Sequence, residues 1–444
     1  MARRPFTSSR NLPIILHMIS DPIKRLRQST LARNAAWMFA GQGLSFVIQA
    51  LYFVFLARLL NATQYGVLAG AVALVTVVSQ YSTMGSGLTL LRYVSQDPKQ
   101  FPKYWGNVLM STAFYGSLIV LLLHFSGRWL VGKESASLLT LIAFSDCICG
   151  QLSTCAAQVF QSFERMRLTA TLNMLTSSFR LLLACSMLFI MHHAVAKQWA
   201  VAMLVVSIGA ACTAFAVVTR RFGWPRFEPK LLLTRGPEGF VFAMSSSTTA
   251  AYNDFDKVML GHYGMTVANG IYSMAYRIIN IATMPIQSIE AAAFPRFFRE
   301  GAKGMAAVEP LAVKILKRTV ILGLAAAIGM FFFAPIIPFF IGKGFSPSVS
   351  ALRWLCLIPL FRSFHLCAGD AIAGVGQQKL RLLCQLFAAG FNFALNLYLI
   401  PHYSWLGAAI ASLLTDGGLA VLTWAVLFCL RRREQAAVLS TQPA

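Results

Sequence analysis

The chain is short of charge. Only 12% of its 444 residues are Asp, Glu, Lys or Arg, about half the share of an ordinary soluble domain. Acids are the scarcer part, 15 against 38 bases. One or two water-soluble cores are excluded by that lack, because 57% of the residues are hydrophobic and 34 are phenylalanine. A spaced cysteine framework is also missing. Cys147, Cys149, Cys155, Cys185, Cys212, Cys356, Cys367, Cys384 and Cys429 all sit in apolar runs, where they read as small packing residues rather than disulfides or metal ligands. Cys147 and Cys149 have the wrong spacing for zinc, and the adjacent pair His192 and His193 offers poor metal geometry. No metal and no cofactor is expected. Finally, no loop is long enough to be a soluble catalytic domain; the longest lie between spans 6 and 7 and between spans 8 and 9.

What is present is a series of apolar runs. A helix needs roughly 20 apolar residues to cross a bilayer. Uncharged runs of that length fall at 34–57, 66–91, 104–127, 198–219 and 319–342. Comparable runs holding one or a few charges fall at 136–161, 168–191, 239–261, 269–294, 348–376, 382–401 and 404–430. The composition therefore predicts an all-α integral membrane protein with twelve spans.

The bases test that count. With the first 33 residues placed in the cytoplasm and the spans alternating, 28 of the 38 Lys and Arg residues fall on the cytoplasmic side and five on the other, with five inside spans. One miscounted span would invert every later loop and erase the contrast. Residues 1–33 are basic and lack a continuous apolar core, so they read as a cytoplasmic tail rather than a cleaved leader. The net charge of +23 is placed to face anionic headgroups, not nucleic acid. The organisation expected is a tail (1–33), an N-lobe (34–219), a cytoplasmic link (220–238), a C-lobe (239–430) and a second cytoplasmic tail (431–444), in the plasma membrane.

The two halves are alike. The link from span 1 to span 2 reads LARLLNATQYGVLAGAVAL, and that from span 7 to span 8 reads VMLGHYGMTVANGIYSMAYRI. Each gives an apolar helix end, a turn residue (Asn61; Gly264) and a glycine opening the next helix (Gly66; Gly270). Six spans apart, with both copies starting on one side, they form a parallel repeat of two six-helix lobes.

At this point the sequence resembles a family. LARNAAWMFAGQGLSFVIQALYFVFLARLLNATQYGVLA, the LTLLRYVSQ that closes span 2, and DKVMLGHYGMTVANGIYSMAYRI are similar to the oligosaccharide flippases of polysaccharide biosynthesis. Multidrug and toxic-compound extruders and lipid II flippases share their superfamily of multidrug, oligosaccharidyl-lipid and polysaccharide exporters. The resemblance runs from about Leu31 to Leu430 and rests on diffuse Gly, Asp and aromatic patterns. It implies two lobes around a cavity open alternately to either face. The implied cargo is an undecaprenyl-pyrophosphate-linked oligosaccharide, moved outward for a surface polysaccharide such as O-antigen, capsule or exopolysaccharide. Membrane lipids, Na+ or H+ as coupling ion, and a polysaccharide polymerase with its assembly proteins are the implied partners. Asn61 stands where glycine is usual, which its tolerance of left-handed geometry accommodates.

Charges inside spans cost about 2.5–3.5 kcal/mol each at the bilayer centre, so each needs a partner or a wet lumen. The candidates for holding pyrophosphate or sugar are Arg277, Arg180, Arg362 and Lys257, since a guanidinium fork binds phosphate oxygens bidentately. Asp256, Asp254, Asp146 and Glu290 are candidates for a coupling ion or a gating pair. Asp254 and Asp256 lie roughly 8–11 Å below the outer end of span 7, at the depth of Arg277 in span 8, so an Asp–Arg pair locking the two spans is the competing structural expectation. Arg362 has the same alternative in Asp416. On span 7 the face carrying Asn253, Asp256 and Lys257 is expected to meet the cavity, with Lys257 alternatively reaching outward to the interface. Gln42, Gln49 and Gln80 offer amides, and Tyr252, Tyr272 and Tyr276 offer rings, to a sugar. Two other readings remain: an ion-coupled extruder of cationic compounds, which favours a carboxylate-dominated cavity, and an integral-membrane polymerase or glycosyltransferase, which needs a catalytic loop.

Overall fold

The structure, a computed structural model, describes residues 30–163 and 165–440. Among these no strand occurs. The first half comprises α1 (Thr30–Ser79), α2 (Ser86–Gln96), α3 (Phe101–Ala143), α4 (Gln151–Ser162), α5 (Met166–Met191) and α6 (Ala196–Phe222). The second comprises α7 (Pro229–His262), α8 (Thr266–Gly301), α9 (Met305–Phe333), α10 (Ile337–Ile341), α11 (Ser348–Leu355), α12 (Ile358–Gly374) and α13 (Gln378–Ser440).

Among the described residues, seven segments are long and apolar enough to cross a membrane. Three of them contain a non-helical residue at which the chain turns back: Asn61 in α1, Gly132 in α3 and Ser404 in α13. Those seven therefore make ten crossings. The more polar α7 and α8, of 34 and 36 residues, complete twelve, in two lobes of six. Since twelve is even, α1 begins and α13 ends at one face, termed proximal; the Asn61 turn lies at the distal face. All six distal turns carry a residue of positive φ: Asn61, Gly132, His192, Gly264, Gly342 and Ser404.

Asn61 departs from the expected left-handed well. Its φ of 52° comes with a ψ of 173°, a region that favours glycine and is strained for other residues. Its side chain compensates: Oδ1 accepts a hydrogen bond from the Gln64 amide at 3.0 Å, capping the second arm of α1. The links at the proximal face are also shorter than expected. α7 starts at Pro229, inside the expected 220–238 link, and only 302–304 separate α8 from α9. A hydropathy window marks the part of a helix in hydrocarbon. At 1.5 Å per residue α7 is about 50 Å long, well beyond a hydrocarbon core of about 30 Å, so its basic end continues as helix past the interface.

The same span of each lobe is irregular. Phe144–Gly150 in the fourth span is π-helical, and in the tenth span α11 and α12 are separated by Cys356 and Leu357. Both irregularities sit next to groups of the central chamber, Asp146 and Arg362. The outer faces are apolar: only 6% of the most apolar stretch of the fifth span is buried, and Phe189, Ile190 and Phe339 are at least 75% exposed. Such a surface matches lipid and not water. Cys147, Cys155, Cys356, Cys367 and Cys384 are buried as free thiols.

With lipid tails as apolar as leucine, helices in a bilayer associate mainly through close packing of small residues. The distal half of the lobe interface follows that rule. A Cβ on Gly66 would lie 1.7 Å from the Thr266 carbonyl oxygen, and one on Gly270 would lie 2.0 Å from that of Ala62. Asn269 Nδ2 fastens the crossing by donating to the carbonyls of Gly66 (3.1 Å) and Lys257 (3.0 Å). Above it, Arg58 donates to the carbonyls of Phe340 (2.5 Å) and Phe339 (3.2 Å) at the end of α10. Phe345 is buried edge-on against Tyr65, ring centres 5.9 Å apart. At the proximal face the lobes meet through polar groups: Arg92 Nη1 on Glu238 at 2.7 Å, and the Tyr93 hydroxyl on Glu238 at 3.0 Å.

Candidate functional site: an arginine-lined chamber between the lobes

Between these contacts lies a chamber of about 640 Å³. Its lining draws on both lobes, and five of its side chains are basic: Arg180, Lys257, Arg277, Arg362 and Arg381. Two are acidic, Asp146 and Asp254. With Arg381 compensated by Asp370 behind the lining, a net excess of two positive charges remains, and in a low-dielectric enclosure it raises the local concentration of anions.

Each base is held differently. Arg362 is buried on α12; its Nη1 donates to Asn280 Oδ1 at 3.0 Å and its Nη2 to Asn253 Oδ1 at 3.1 Å. Two neutral amides orient the fork without neutralising it. Arg277 on α8 lies over the Phe53 ring at 4.4 Å, with Tyr65 also in the lining. Arg180 on α5 and Asp146 both line the chamber, and the Arg180 Nε is buried with no hydrogen-bond partner among the described residues. Lys257 folds back along its own helix: Nζ donates to the Asn253 carbonyl at 2.8 Å and to Asp254 Oδ1 at 2.5 Å. The Tyr276 ring carries Lys257 Nζ at 4.5 Å and the Arg362 guanidinium at 5.8 Å. Arg381 Nη1 pairs with Asp370 at 2.9 Å.

The expected ion pairs are not the ones formed. Arg277 does not pair with Asp254 or Asp256. Asp254 takes the Lys257 ammonium instead, which an i,i+3 spacing on one helix brings into reach. Asp256 points away from the chamber, accepting from the Tyr272 hydroxyl, from Ser412 Oγ at 3.4 Å and from the Lys257 amide at 2.7 Å. The face of α7 turned to the chamber is thus Asn253, Asp254 and Lys257, not the one carrying Asp256, and Lys257 does not reach out to the interface. Arg362 does not pair with Asp416 either; that carboxylate accepts from the Tyr252 hydroxyl and lies 3.3 Å from His365 Nε2. Among the described residues, no carboxylate is within ion-pair distance of the Arg180, Arg277 or Arg362 guanidinium.

Glu290 stands apart. It is buried in α8 beside the Arg381–Asp370 pair, off the chamber, and neither oxygen has a hydrogen-bond partner among the described residues. Gln49, Tyr252 and Tyr276 line the chamber; Gln80 and Tyr272 do not. The side chain of Gln42 lies outside the described residues. Arg381, Asn280 and Tyr65 are lining groups the sequence did not single out. Arg381 counts in sequence as a loop base, and Asn280 and Tyr65 are isolated polar residues with no local signal.

A second cavity of about 560 Å³ adjoins the first and shares Gln49, Ser177, Arg180, Met203 and Gln287 with it. It runs between the first, fourth, fifth, sixth and eighth spans, and among the described residues its one charged lining group is Arg180.

The fold has known counterparts. The lipid II flippase MurJ in an inward closed conformation superposes with a TM-score of 0.71 at 14% identity, over 88% of this chain and 87% of that one. A multidrug resistance MATE family transporter of the MOP superfamily, outward-facing, gives 0.59 at 15% identity, over 92% and 98%. In sequence, an uncharacterized membrane protein of Methanocaldococcus jannaschii is 26% identical over 181 residues, a match spanning 39% of this chain and 41% of that relative. Residues 31–300 match the family described as polysaccharide biosynthesis protein. The chain is a multi-pass membrane protein with the fold of the MOP exporters, and it belongs to the polysaccharide biosynthesis protein family.

Proposed function

We propose that the protein is a flippase that carries a polyprenyl-pyrophosphate-linked oligosaccharide across the plasma membrane by alternating access, for assembly of a surface polysaccharide. One observation carries the reading: Arg180, Arg277 and Arg362 come from three spans of two lobes to one chamber, and among the described residues none has a carboxylate within ion-pair distance. An unpaired guanidinium inside a membrane protein is costly unless the chamber receives an anion. Pyrophosphate matches the donor set, since each fork offers paired N–H groups to phosphate oxygens. The charge bias of the sequence supports a cytoplasmic proximal face, in which case the anionic headgroup enters there and leaves distally. Coupling to Na+ or H+ would act on Asp254 and Asp146, the two carboxylates that face the chamber.

Extrusion of cationic compounds is the competing function for this fold, and the five-to-two excess of basic lining groups opposes it. Proteoliposomes separate the two. A fluorescent polyprenyl-pyrophosphoryl oligosaccharide is expected to change leaflet only when the protein is present, while a lipophilic cationic dye leaks at the rate of empty vesicles. Protein-dependent efflux of the dye without lipid transfer would reverse the assignment.

A further inference from the structure

We infer that the second cavity is the glycan subsite: a neutral, acceptor-rich groove that binds the hydroxyls of an oligosaccharide while the adjoining chamber holds its pyrophosphate. The inference rests on the flippase reading and adds where the sugar sits and by what chemistry it is held.

The lining explains the choice. Ser153, Thr154, Asn173, Thr176, Gln287 and Ser288 put hydroxyls and amides into a space whose only charge among the described residues is Arg180, at the junction with the chamber. Thr154, Asn173, Gln287 and Ser288 are exposed. Polar side chains at this depth belong to a watery lumen, because lipid would leave their groups unsatisfied.

The direction of the hydrogen bonds narrows the ligand. Ser153 donates to the Cys149 carbonyl at 3.1 Å, Thr154 to Gly150 at 3.0 Å, Thr176 to Leu172 at 2.9 Å and Ser288 to Met284 at 2.9 Å. Each hydroxyl has one proton and two lone pairs. With its proton committed to its own helix, each one presents acceptors to the groove. The groove therefore suits a ligand rich in donors and free of charge, which describes a polyol. An anionic sugar would meet lone pairs from the hydroxyls, with donors confined to Arg180 and the amides of Gln49, Asn173 and Gln287, and a lipid tail would leave them all unpaired.

Continuity fixes the order of the parts. Gln49, Ser177, Arg180 and Gln287 line both spaces, so a single headgroup can place phosphate among the arginines and its first sugars past Arg180.

The test compares two probes on purified protein: bare polyprenyl pyrophosphate, and polyprenyl pyrophosphate bearing a neutral trisaccharide. Wild type is expected to bind the glycosylated probe about tenfold more tightly, the equivalent of one or two neutral hydrogen bonds. The near-isosteric variants Asn173→Leu and Thr176→Val, checked for unchanged thermal unfolding, should each reduce that preference and leave affinity for the bare probe as it was. If a variant does not fold, Ser288→Ala, at a residue that lines only the second cavity, gives the same comparison from the eighth span. Equal binding of both probes by wild type overturns the subsite and leaves the flippase reading standing. So does an equal loss of both probes in the groove variants. Binding of neither probe by wild type overturns the flippase reading and the subsite with it.

Discussion

Gly66 and Gly270, 204 residues apart and equivalent in the two lobes, pack backbone to backbone at the distal end of the chamber: a Cβ on Gly66 would come within 2.7 Å of the Gly270 nitrogen. A pseudo-symmetric pair meeting at the lobe interface makes the crossing a seal that either lobe can break.

Gly66→Leu should therefore open the distal seal. Overpacking a close-packed crossing costs about 1–3 kcal/mol, and here the clash is with backbone. A cysteine at the lining position Ser273, in a protein with the exposed Cys212 and Cys429 replaced by serine, should then react faster with an impermeant maleimide added at the distal face. Gly390, which has nothing within 4 Å of a built Cβ, supplies the control: Gly390→Ala should leave the rate unchanged.

Phe345 and Arg58 test what holds the distal cover. Phe345 is buried among N-lobe residues, and Phe345→Ala should cost about 3–5 kcal/mol. Arg58 caps the carbonyls of α10 from an exposed position, so Arg58→Ala should cost no more than about 1 kcal/mol. Its signature is local: faster amide exchange over 337–345 with unchanged exchange in the core of α8.

Asn253 and Asp256, three residues apart on α7, should separate by phenotype. Asn253→Leu frees one arm of the Arg362 fork and should reduce transport severalfold with little loss of stability. Asp256→Ala leaves the buried Tyr272 and Ser412 hydroxyls short of a partner, a loss of about 1–3 kcal/mol. It should lower the unfolding temperature and leave affinity for pyrophosphate intact. Transport assays paired with thermal unfolding read both.

The same helix shows where sequence reasoning stops. Twelve apolar runs and the bias of Lys and Arg predict the spans, because hydropathy and charge are properties of each segment alone. The repeat of Gly66 and Gly270 is legible for the same reason, being written in local pattern. Side-chain pairing is not. On α7, Asn253 and Lys257 define a face, and either Asp254 or Asp256 completes an arc of about 100°; packing of α7 against α8 and α13 decides for Asp254. Arg362 and Asp416 lie at similar depth, yet Tyr252 and His365 take the carboxylate and two asparagines take the guanidinium. Arg381 counts as a loop base until α12 and α13 bring it to the chamber.

The central claim is that the chamber captures pyrophosphate through arginines that no carboxylate of the described residues approaches within ion-pair distance. The direct measurement is the affinity of purified protein for bare polyprenyl pyrophosphate, at fixed ionic strength, in wild type, Arg277→Ala and Arg362→Ala. Each substitution removes charge-assisted hydrogen bonds worth about 1.5–3 kcal/mol, so each should weaken binding about tenfold to a hundredfold while the protein stays folded. Wild-type affinity retained in both folded variants would contradict the account.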